Sequence, residues 1–131
     1  MKSILNKNVW LVLALIYTVG LLVVSLVKIE SEGLSVNFKH ADKIFHFGAY
    51  FGMTLIWHFY LFAKEKTNDL YPNLWICLSI IGFGIVVEII QRDLTTYRGF
   101  EWLDILANTL GVIVASLFLA LVGPKLAVKF L

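Results

Sequence analysis

Asp42, His46 and Tyr50 stand at i, i+4 and i+8, a spacing that stacks three polar side chains on one face of a helix. Glu88 and Gln91 are three residues apart, Asp104 and Asn108 four, so each pair also shares a helical face. An imidazole among carboxylates is equipment for proton transfer: His46 oriented by Asp42 suits a general base, and Glu88 suits the partner acid. Arg98 and Lys43 would meet anionic groups, the guanidinium as a bidentate fork. Tyr50, Gln91 and Asn108 would supply hydrogen bonds. No Ser or Cys adjoins these residues, so a covalent route has no nucleophile. A metal is disfavoured for the set Asp42, His46, Glu88 and Asp104, which offers one histidine, no thiolate, and ligands drawn from three segments, where zinc recruits more nitrogen and sulfur. No cofactor is expected.

Taken singly, most of these residues have a plainer reading. Asn108, Gln91 and Tyr50 serve as interhelical hydrogen-bond glue, and Gly111 and Ala115 let helices approach. Asp42, Lys43, Arg98 and Asp104 read as hydrated charges of the connecting loops. His58 reads as packing or a hydrogen bond to a neighbour, and Cys77 as a small buried apolar residue. Glu88 is the exception, because an ionisable residue within an apolar span points to function by default. The functional case rests on the group.

The elements that must position the group are apolar. Hydrophobic residues make up 60% of the 131 and charged residues 15%, against about 45–50% and about 25% in soluble domains. Mean hydropathy is +0.84. Four stretches approach the roughly 20 residues that cross a hydrocarbon core: about residues 9–29, 44–63, 72–91 and 104–123. Gly123-Pro124 is expected to end the last. The connections between them are too short for a folded domain. The expectation is an all-α, integral membrane four-helix bundle with short loops, a single domain over residues 1–131. Segment 9–29 is read as an uncleaved anchor, because no small-x-small site follows it.

A net charge of +2 carried on scattered lysines excludes a nucleic-acid stripe. Lysines and arginines divide almost evenly between the two sides, which makes them a poor guide to orientation. The arrangement preferred has both termini cytoplasmic. Trp10, Tyr60, Tyr71 and Trp75 then lie near one boundary and Phe38, Phe45, Tyr97, Phe100 and Trp102 near the other, as interfacial anchors. Antiparallel threading brings the starts of segments two and four and the end of segment three to one membrane face. His46, Glu88 and Asn108 would then share one layer, about 6 Å inside the boundary at about 1.5 Å per residue.

In order and spacing, Asp42-Lys43-x-x-His46-x-x-x-Tyr50, Glu88-x-x-Gln91, Arg98 and Asp104-x-x-x-Asn108-x-x-Gly111 resemble the signature of the VanZ-like family of bacterial membrane proteins, over residues 42–115. The chain departs from that pattern in lacking a Ser-Ser-x-Pro-like turn after the first segment and a proline between Gln91 and Arg98, and in having Ala115 where a glycine is common. The resemblance implies a multi-pass protein of the bacterial plasma membrane and cell envelope, with membrane lipids as partners. Its namesake is associated with low-level resistance to the glycopeptide teicoplanin. Two functions follow as expectations. In the first, a polar pocket at the outer leaflet binds an envelope component, such as a lipid-linked precursor, or an amphiphilic antibiotic, with Phe100 and Trp102 as an apolar rim. In the second, a membrane-embedded hydrolase or transferase acts on a lipid-linked substrate through His46 and Glu88. A proton or ion path is a weaker third. Oligomeric state and the ligand itself are not encoded in these patterns.

Overall fold

The computed structural model describes residues 6–27, 39–65, 72–94 and 102–130. They form four helices: α1 (Lys7–Leu26), α2 (Lys39–Glu65), α3 (Leu74–Leu94) and α4 (Trp102–Phe130). The described residues contain no strand.

Helix ends follow local chemistry. Asn6 caps α1, its side-chain oxygen accepting from the Asn8 N–H at 2.9 Å. Asn73 does the same for α3, accepting from the N–H groups of Trp75 (2.9 Å) and Ile76 (3.2 Å), two of the donors a helix start leaves unpaired. That cap sets the start of α3 at Leu74, after Pro72. Helix α2 begins five residues before the expected boundary at 44, and α4 two before 104. Gly123-Pro124 does not end α4, which continues to Phe130. Proline removes one backbone donor there, but Leu126 packs beyond it onto Phe62 and Leu119, and that contact holds the last turns in line.

Cross-helix contacts fix an up-down-up-down bundle. Trp10 stacks on Phe59 while Tyr17 donates to the Ala49 carbonyl at 2.6 Å, so α1 and α2 are antiparallel. Asn73 meets His58 and Gly84 meets Tyr50, so α2 and α3 are antiparallel too. Helices α2 and α4 run parallel, with His46 beside Asn108 and Phe51 beside Phe118. Among the described residues, α2 and α3 each touch every other helix, whereas α1 and α4 do not touch one another. The section is a rhombus with α2 and α3 on its short diagonal.

Helices α1, α3 and α4 are long and apolar enough to cross a membrane. Only Ala14, Leu21 and Ser25 of α1 are buried, while Val12, Ile16, Val19 and Val23 are more than half exposed. Helix α2 is the exception, and its sequence says why. His46, Tyr50, Thr54 and His58, each four residues apart, are all buried and form one polar ridge along the inward face. Against that ridge α4 presents Ala107, Gly111 and Ala115, all buried. A Cβ at Gly111 would strike the Phe47 carbonyl of α2, so glycine is what permits this backbone approach.

Candidate functional site

The first turn of α4 and the first two turns of α2 hold the densest charge in the described bundle. Asp104 is 2% exposed. Its Oδ1 accepts from the Lys43 ammonium of α2, and its Oδ2 lies 3.5 Å from His46 Nε2. Asp42 spans the same two partners, with Oδ2 3.8 Å from Lys43 Nζ and Oδ1 3.7 Å from His46 Nε2. The other ring nitrogen, Nδ1, lies 3.1 Å from Asn108 Oδ1. An amide oxygen only accepts, so Nδ1 carries the hydrogen and donates it. Asn108 thereby fixes the ring, leaving Nε2 aimed between two carboxylates. The Phe45 ring meets His46 edge-on, at 6.1 Å between centroids.

Asp42, Lys43, His46, Asp104 and Asn108 therefore gather between two parallel helices. Reading Asp42, Lys43 and Asp104 as loop charges is incorrect. Both helices begin earlier than their apolar stretches, which places these residues in helical turns and buries Asp104. The carboxylate nearest His46 is Asp104, not Asp42 alone. Lys43, expected to meet an external anion, is engaged by Asp104.

The remaining residues form two further contacts. Tyr50 and Glu88, both buried, interact electrostatically, and a Cβ at Gly84 would lie 2.9 Å from the Tyr50 ring and 3.1 Å from Asn108 Nδ2. Gly84 thus seats α3 directly on the other two polar helices, a close approach that the one-residue spacing of Gly82 and Gly84 did not announce. Glu88 stands outside the group of Asp42, His46 and Asp104, whose ligand atoms all lie within 4.8 Å of one another. Gln91 points to α1, donating to the Ser25 carbonyl at 2.6 Å. Arg98, Tyr97 and Phe100 lie outside the described residues. Trp102 is exposed at the start of α4.

Apolar relief surrounds this cluster. A groove of about 530 Å³ between α1 and α2 is lined by Ile16, Tyr17, Val24, Ile44, Phe45 and Ala49, among others. It reaches the cluster's end of the bundle through Phe45, which touches both. No protein-family model matches this chain, and no curated protein or solved structure matches it.

Proposed function

We propose that this chain is a four-pass integral protein of the bacterial plasma membrane whose buried charged cluster binds the polar head of an amphiphile from the cell envelope. The observation that carries this reading is one network joining the buried His46, Asp104 and Asn108 to the part-exposed Lys43 in a bundle whose outer surface is largely apolar. Ionisable groups at such depth are costly and are kept where they bind or move something charged. Membrane insertion is supported by the three long apolar helices and by an α1 that is apolar all round and largely exposed. Helix α2 joins them as the fourth span because its polar ridge faces protein. The amphiphile is supported by the groove beside the cluster: it is lined by mostly apolar side chains of α1 and α2, among them Phe45, whose ring meets His46.

Ligands of this description include a lipid-linked envelope precursor and a lipidated glycopeptide such as teicoplanin, in keeping with the resemblance to VanZ-like proteins. On this reading both termini are cytoplasmic and the cluster lies at the outer leaflet. The test is lipid retained by the full-length protein purified from its membrane. Wild type should carry an amphiphile, identified by mass spectrometry, that is depleted in Asp104→Asn and in Phe45→Ala. Equal lipid content in all three proteins would sink the reading.

A second reading rests on the ring of His46. Asn108 holds it in one orientation with Nε2 directed at carboxylates, the arrangement a general base requires. A hydrolase or transferase acting on the same amphiphile would lose about 10²–10⁴-fold in rate in His46→Gln, whereas binding alone would weaken in a graded way.

A further inference from the structure

Asp42, His46 and Asp104 face one another with nothing of ordinary hydrogen-bond length between them. The Nε2 distances of 3.5 Å to Asp104 and 3.7 Å to Asp42 exceed the roughly 2.7–3.2 Å of a hydrogen bond. Because Nδ1 donates to Asn108, a neutral ring would turn its lone pair toward two carboxylate oxygens, and like partial charges repel. The ring is 7% exposed, so water does not screen that repulsion freely. The Lys43 ammonium lies toward the oxygens Asp104 Oδ1 and Asp42 Oδ2. The opposite oxygens, Asp104 Oδ2 and Asp42 Oδ1, are the ones turned to the imidazole.

We propose that this trio is a binding site for a divalent first-row transition metal ion, ligated by His46 Nε2, Asp104 Oδ2 and Asp42 Oδ1. Zinc ligands at about 2.0–2.2 Å in a tetrahedron stand about 3.3–3.6 Å apart, close to the separations found between the ring nitrogen and the two oxygens. The three ligands come from two parallel helices rather than three, so no further helix has to be recruited to close the site. One imidazole with two carboxylates suits a transition ion better than calcium or magnesium, which favour all-oxygen sets. The second shell is of the usual kind: Asn108 accepts from the ligating histidine's other nitrogen, and Lys43 holds the outer oxygens of both carboxylates. Three protein ligands leave a coordination position open. Asp42, the most exposed of the three at 36%, marks the side from which it is reached. A divalent ion with an open position suits an anionic oxygen as the further ligand.

The experiment uses the full-length protein in detergent micelles, stripped with a chelator and titrated with Zn²⁺ or Co²⁺ alone. One equivalent should bind per chain, with the visible d–d bands of a four- or five-coordinate Co²⁺ site. His46→Gln, Asp104→Asn and Asp42→Asn should each lose that spectrum while keeping helical circular dichroism. Asp42 is exposed enough for its variant to fold even where Asp104→Asn does not. Asn108→Leu should weaken binding by about 10–100-fold, as loss of an orienting partner does. His58→Gln should leave it unchanged. A folded wild type that takes up no metal overturns the proposal and leaves a proton on Nε2 as the occupant. Undiminished uptake in His46→Gln or in Asp42→Asn overturns it as well. No amphiphile enters the titration, so its failure is separate from any failure of the proposed function.

Discussion

Helix α2 carries two buried histidines, twelve residues apart on one ridge, and their surroundings are opposites. His58 donates from Nδ1 to the Thr54 carbonyl at 2.7 Å and accepts at Nε2 from the Asn73 N–H at 2.8 Å. Each nitrogen has one neutral partner, so the ring is a single tautomer with nothing left to do. Its acceptor bond to Asn73 ties α2 to the cap of α3, which is a structural task. His46 has one assigned nitrogen, and its other faces Asp104 and Asp42 across distances too long to count as made. Burial alone does not separate the two. What separates them is whether the hydrogen-bond inventory of the ring closes, and it closes at one end of the bundle only.

Mutations should divide along that line. The largest effect is expected from Asp104→Ala. Removing one partner of a buried ion pair costs about 3–5 kcal/mol, and the value should fall near the lower bound because Lys43 is 24% exposed. Denaturant or thermal unfolding in detergent measures it, and a loss under about 1 kcal/mol would mean that Lys43 finds water without cost. Next comes His58→Leu, which strands the Asn73 N–H and should cost about 1–3 kcal/mol with lipid and metal content intact. A selective loss of ligand in that variant would erase the contrast between the two histidines. Gly111→Ala should cost a similar or slightly smaller amount, about 1–3 kcal/mol from overpacking. By prising α4 from Phe47 it should also disturb the His46 end before the His58 end, as amide exchange along α2 would reveal. The smallest effect is expected at Gln91→Leu, whose hydrogen bond to the Ser25 carbonyl is worth about 0.5–1.5 kcal/mol and which leaves both histidines alone.

Much of this arrangement is legible in the chain. The i, i+4 spacing of His46, Tyr50 and of Asp104, Asn108 places those residues on inward faces, and antiparallel threading carries them to one end. Hydropathy locates the helices but not their first turns. Apolar runs stop at the first charge, so Asp42, Lys43 and Asp104 read as loops, although a charged first turn costs little when its charges satisfy one another. Pro124 misleads for a related reason: the rule for helix ends is local, and Leu126 packing on Leu119 is not. Glu88 drew attention as a lone carboxylate in an apolar run, yet pairing depends on helix rotation about its axis, which the sequence does not print. Gly84, where α3 rests on Tyr50 and Asn108, could have been noticed as the residue one turn before Glu88 on the same face.

If the bundle spans a membrane as proposed, the polar ridge of α2 also bears on the order in which it can be assembled. Helix α1 needs no companion in hydrocarbon, since nearly every side chain on it is apolar. Helix α2, entering next, would bring His46, Tyr50, Thr54 and His58 into lipid before either helix that receives them has been made. Asn73, which satisfies His58, arrives with the start of α3, and Asp104 and Asn108 arrive only with α4. On the proposed membrane reading, the second segment to be synthesised is thus the last able to settle, because its partners arrive only with the third and fourth. A chain truncated before Trp102 would leave His46 without Asp104 and Asn108, the two partners that α4 supplies.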